Sequence, residues 1–109
     1  MNGRRERVAT LTIVNTLGLH ARAAAQFVVM ANRYKAEVRV RTDGGDANGK
    51  SIMGVLTLAA AQGTAITVTT SGEQCDESMQ ALTELVNNGF GEDTGRSGGA
   101  PGGAPGGAR

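Results

Sequence analysis

The chain of 109 residues has no tryptophan, and its aromatic residues are Phe27, Tyr34 and Phe90. That excludes the ring platform on which single-stranded nucleic acid stacks. It lacks an excess of either charge, with 11 Lys+Arg against 10 Asp+Glu. The balance gives no electrostatic case for binding nucleic acid or a membrane surface. No apolar run is long enough to cross a bilayer. The opening Met1-Asn2-Gly3-Arg4-Arg5-Glu6-Arg7 leads into alternating threonines rather than an apolar signal core, so export is not expected. Cys75 is alone and cannot form an internal disulfide, which fits a reducing cytoplasm. Its bland reading, a small residue near a helix start, outweighs a reactive thiol.

Both prolines fall in the last 16 residues, TGRSGGAPGGAPGGAR, from Thr94 to Arg109. This stretch has no apolar periodicity with which to offset the entropy of ordering, and it reads as a disordered tail. The body, residues 1–93, keeps 9 of the 11 basic residues (Arg96 and Arg109 are lost) and all 10 acidic ones, for a net charge of −1.

The body alternates elements. Val8 to Val14 interleaves Thr10 and Thr12 with apolar residues, a half-buried strand. His20 to Tyr34 reads as a helix with Ala24, Phe27, Val28, Ala31 and Tyr34 on one face. Glu37 to Arg41 alternates strictly, and Asp43-Gly44-Gly45-Asp46 is a hairpin signal before a short strand near Ala47 and Asn48. Ser51 to Ala61 reads as a helix capped by Ser51 and closed before Gly63. Ala65 to Thr70 is a strand. Cys75 to Asn88 is a last helix, with Met79, Leu82, Leu85 and Val86 inward and Gly89 as its stop. The order β-α-β-β-α-β-α predicts an α+β domain, an open-faced sandwich with a four-stranded antiparallel sheet and three helices on one face.

The only histidine, His20, stands in Asn15-Thr16-Leu17-Gly18-Leu19-His20-Ala21-Arg22-Ala23-Ala24-Ala25. A glycine turn delivers the imidazole to the first turn of an alanine-rich helix. Imidazole titrates near neutral pH and can act as a nucleophile. A helix N-terminus offers unpaired N–H groups and a positive dipole end to an anion. The amides of Ala21 and Ala23 would face a phosphate, and Arg22 would add a charge-assisted fork. Small side chains from Ala21 to Ala25 would leave the site shallow enough for another protein's active site to close over it. A lone histidine with a nearby arginine is nonetheless more often a satisfied cap or loop residue, and Arg22 a solvated one.

The second feature is Asn48-Gly49-Lys50-Ser51-Ile52-Met53-Gly54-Val55-Leu56. Gly44 to Ser51 meets the P-loop spacing literally, but no buried parallel strand precedes it, so the match is by chance. Ile52, Met53 and Leu56 carry more apolar surface than a short helix should bury. With Val55 and Leu58 in the core, some of the three should lie outside as a partner surface.

Together, LGLHARAAA and NGKSIMGVLTLAAAQG, with 31 residues from His20 to Ser51, resemble the signature regions of the histidine-containing phosphocarrier (HPr) family of the bacterial phosphoenolpyruvate phosphotransferase system. The resemblance covers residues 6–93. It implies that His20 accepts phosphate at Nδ1 from phosphorylated enzyme I and passes it to an enzyme IIA, and that Arg22 assists. It further implies that Ser51 is modified by an HPr kinase/phosphorylase, where added negative charge would weaken docking. It implies no cofactor or metal, a monomer, and a relay rather than an enzyme with a free product. The chain departs from the family at Ala23, where proline is usual, and at Leu17, where sugar-branch members have a polar residue. The stretch Asn88-Gly89-Phe90-Gly91-Glu92-Asp93 is closer to the nitrogen branch. The mixture points to a regulatory phosphotransferase system. Two competing readings are a regulatory interaction protein acting mainly through Ser51, and an RNA-binding sandwich, which the missing aromatics disfavour.

Overall fold

The computed structural model describes residues 5–95. The expected tail, except Thr94 and Gly95, lies outside the described residues, as do residues 1–4.

Seven main elements follow the expected order. They are β1 (Glu6–Thr12), α1 (Ala21–Ala31), β2 (Glu37–Thr42), β3 (Gly45–Asn48), α2 (Ile52–Thr57), β4 (Ala65–Ser71) and α3 (Cys75–Asn87), and a single 3₁₀ turn, Gly89–Gly91, follows. The strands form one antiparallel sheet in the order β1-β4-β2-β3. Period-two alternation fixes its register. Leu11 faces Ile66, Val40 faces Val68 on one side and Ala47 on the other, and Val38 faces Thr70. All of these are buried beneath the helices. The intervening positions are exposed on the outer strands and β2, as at Thr10, Arg39 and Arg41, and half-buried on β4, at Thr67 and Thr69.

Phe27 of α1, Val55 of α2, and Leu82 and Val86 of α3 close the core over Ile13, Ile66, Val38, Val40 and Val68. Each such side chain contributes roughly 1.5–3 kcal/mol by burial. Of the three buried polar residues described, Asn15, Thr70 and Ser78, the last two lie on β4 and α3. The Thr70 hydroxyl donates to the Cys75 carbonyl at 2.9 Å, whereas the Ser78 hydroxyl has no partner among the described residues. Gly49 is buried where a Cβ would collide with the Val38 side chain, so β2 and the loop before α2 approach as only glycine allows.

Several boundaries differ from the sequence reading. α1 stops at Ala31, short of Tyr34, because Asn32 caps it: its backbone and side-chain N–H groups donate to the Val28 carbonyl at 3.0 and 2.9 Å. Tyr34 is half-buried beyond the helix end. α2 ends at Thr57 rather than Ala61, where the chain turns through Ala59 at φ +50°. β1 begins at Glu6 because its ladder with β4 reaches Ser71. Past Thr12, Ile13 pairs instead with Gly63 and Thr64. On α3, Met79 and Leu85 only flank the core; Cys75 and Ser78 take the inward positions.

Candidate functional site

The loop between β1 and α1 is held from three sides. Gly18 N–H donates to the Asn15 carbonyl at 3.1 Å and Leu19 N–H to the Ala60 carbonyl at 2.8 Å. Gly18 sits at φ +69°, and a Cβ there would lie 2.5 Å from the Ala60 oxygen. Thr16 N–H donates to the Asp93 carbonyl at 2.8 Å. The Gln62 amide bridges the carbonyls of Val14 and Thr94, at 3.0 and 2.9 Å. The segment from Gly89 to Gly95 is therefore a strap laid against the loop. Its anchor is Phe90, a buried ring carried at φ +58°.

His20 is the N-cap of α1. Its Nδ1 accepts from the Arg22 N–H at 3.4 Å, a long contact. Its Nε2 lies 2.9 and 2.8 Å from the two carboxylate oxygens of Glu92 on the strap. A carboxylate only accepts, so Nε2 is the donor, and the Nδ1 lone pair faces the helix lip. Asn15, fully buried, donates its side-chain amide to Glu92 Oε1 at 2.9 Å and to the Gly18 carbonyl at 2.8 Å. The hydrogen bond from His20 holds the Glu92 carboxyl below the ordinary carboxylate range against the cost of its burial. Asn15 and the charge of Arg22 act in the same direction.

The histidine is thus both a cap and a poised nitrogen. Ala21 and Arg22 are exposed at the lip, whereas Ala23 is fully buried, so the accessible residues of the first turn are the former two. The Arg22 guanidinium makes no ion pair among the described residues. Leu17, on the same loop, is 69% exposed. Chemically, this is a nucleophilic nitrogen at the positive end of a helix dipole, beside a free guanidinium and set in a shallow surface.

Ser51 lies elsewhere. It caps α2, its hydroxyl accepting from Gly54 N–H at 3.1 Å. Asn32, just past α1, donates to the Lys50 carbonyl at 3.5 Å, while the far end of α2 leads to Ala60 under Gly18. The two helices therefore run in opposite directions, and Ser51 stands by the C-terminal end of α1 while His20 caps its N-terminal end. Ile52 and Met53 are exposed at 43% and 70%, and Leu56 is half-buried. Lys50 spends its ammonium on the Tyr34 carbonyl at 3.1 Å, which removes it from any phosphate cradle. Cys75 is buried, with its sulfur 4.0 Å from Asp76.

Glu92 and Asn15 were not singled out from sequence. Asn15 offered the weak signal of an amide five residues before the histidine. Glu92 offered almost none, being one carboxylate in a glycine-rich stretch 72 positions away.

The family model "PTS HPr component phosphorylation site" matches residues 8–88. Phosphocarrier protein HPr of Pseudomonas aeruginosa is 55% identical over 83 residues, 75% of this chain and 92% of that protein. Among solved structures, HPr-C-His from Thermoanaerobacter tengcongensis superposes with a TM-score of 0.76 at 37% identity, covering 80% of this chain and 98% of that one. The Bacillus subtilis catabolite repression protein Crh, whose crystal structure is a swapped dimer, is 40% identical with a TM-score of 0.62, covering 68% of this chain and 85% of that one.

Proposed function

Since this chain belongs to the PTS HPr family and is a phosphocarrier of the phosphotransferase system, we propose that His20 Nδ1 is the atom that carries the phosphoryl group. Family membership implies enzyme I as donor and an enzyme IIA as acceptor. The observation that supports His20 most is its place as N-cap of α1, with Nε2 engaged and Nδ1 facing the lip. There the Nδ1 lone pair attacks phosphorus as the donor's bond to phosphorus breaks. The incoming oxygens meet the amides of Ala21 and Arg22, the dipole of an 11-residue helix and the Arg22 guanidinium.

Residues 1–93 form the phosphocarrier domain in this reading, and residues 94–109 a separate tail. Ile52, Met53 and Leu56 extend the docking surface from the His20 lip along α2. Ser51 is the regulatory position. Because Ser51 stands by the opposite end of α1 from His20, a phosphate on Ser51 touches neither the imidazole nor Arg22 in this reading. It acts by placing nearly two negative charges beside the apolar patch. Leu17, Ala23 and the glycine-rich ending favour a nitrogen-type, regulatory system over sugar uptake. The protein acts in the cytoplasm as a monomer, with β1 closing on β4 of its own chain.

The test is incubation with phosphoenolpyruvate and enzyme I, followed by acid treatment. Wild type and Ser51→Ala acquire acid-labile label, and His20→Ala acquires none. An unlabelled wild type, or label retained in His20→Ala, refutes the reading.

A further inference from the structure

Glu92 places both carboxylate oxygens on the same imidazole nitrogen and is itself held by a buried amide. A carboxylate present only to pair with a surface charge would face the Arg22 guanidinium, which is exposed and free among the described residues. Instead it turns to the ring nitrogen farther from the helix lip. Its side chain is 14% exposed, so water competes weakly for these bonds.

We propose that Glu92 is the positioning residue of the relay: it selects the His20 tautomer protonated on Nε2 and keeps that proton in place while phosphate arrives and leaves. The second half rests on the phosphocarrier reading above. In the free protein the Nε2–H donates to Glu92, and Nδ1 is unprotonated, its lone pair meeting only the long contact from the Arg22 N–H among the described residues. When Nδ1 takes the phosphoryl group, the N–P bond forms and the donor keeps the electron pair of the bond that breaks. The ring then holds an Nε2–H, a bond to phosphorus and one positive charge, which the Glu92 carboxylate faces directly. When the acceptor attacks, the N–P electron pair returns to Nδ1 and the neutral, Nε2-protonated ring is restored. No proton moves in either direction. Without Glu92 the free ring divides between two tautomers, and in one of them Nδ1 has no lone pair to offer.

The experiment has two arms. In unphosphorylated, ¹⁵N-labelled protein, ring nitrogen shifts and couplings report the tautomer directly. Wild type shows Nε2 protonated and Nδ1 bare, Glu92→Ala shows a mixture, and Glu92→Gln, which keeps one acceptor oxygen, lies between them. In the second arm, phosphorylation by phosphoenolpyruvate and enzyme I shows kcat for Glu92→Ala reduced by about tenfold or more with KM little changed, and Glu92→Asp recovers part of the loss. Thermal unfolding identifies which variants are folded, and Glu92→Gln, of the same shape, serves if Glu92→Ala is not. An unchanged tautomer ratio in the folded variants, or an unchanged kcat, overturns the proposal. A wild type that is Nε2-protonated but takes no phosphate overturns the carrier reading and leaves the tautomer result standing.

Discussion

Gly18 carries the loop geometry at a single residue. Replacement by alanine imposes a left-handed backbone on a Cβ and drives that atom into the Ala60 carbonyl, a backbone group that cannot move aside cheaply. Gly18→Ala is expected to lower unfolding stability by about 2 kcal/mol or more, read by urea denaturation. It should also widen the hydrogen-exchange difference at Leu19, whose N–H depends on the same carbonyl. Glu92 gives a second residue-scale expectation. Its carboxyl is held ionised in the folded state, so its contribution to stability is complete above the unfolded value near 4.5 and disappears as pH falls through the lower folded value. Between about pH 5 and pH 3, wild type should lose more stability than Glu92→Gln. Equal slopes would mean that the His20 contact adds nothing to folding.

At the scale of elements, the strands were legible because alternation over six or seven residues leaves one way to face the core. Helix ends were less legible. A periodic apolar pattern runs on past Ala31, and only the Asn32 amide turning back onto Val28 ends α1. The short α2 closed early for the same kind of reason, a local backbone turn at Ala59 that no composition signals. For the site, His20, Arg22 and Ser51 were readable as local chemistry at helix starts. The strap was not, because its contacts to the loop span more than seventy positions and depend on tertiary docking. Phe90 is the device that docks it. A phenylalanine in the left-handed region is held there by burial of its ring. Phe90→Ala is expected to cost about 3 kcal/mol. It should also lower protection of the Thr16 amide, because the Asp93 carbonyl that accepts from it is released. Retained Thr16 protection would show that the strap holds without its anchor.

At the scale of the whole molecule, the four-stranded sheet has a covered face and an open one, and the proposed phosphoryl site lies at neither. It sits at one end, where β1 runs out, α1 begins and the strap crosses. Ion pairs of Arg5 and Arg7 with Asp76 close the opposite end, joining the start of β1 to the first turn of α3. Asp76 is depressed by its Arg7 hydrogen bond, yet pairs this exposed contribute little to stability. The architecture therefore separates its ends, with exposed ion pairs at one and the proposed transfer site at the other. The strap has a practical result for anyone handling the protein. Gly95 lies against Thr16, on the same loop as His20, whereas Glu6 stands six residues before Thr12, about 20 Å from that end. A label or surface tether attached at Gly95 itself sits beside the lip proposed for the donor, and one attached at Glu6 does not. Protein immobilised through position 6 should take phosphate at the rate seen in free solution, and protein immobilised through position 95 more slowly.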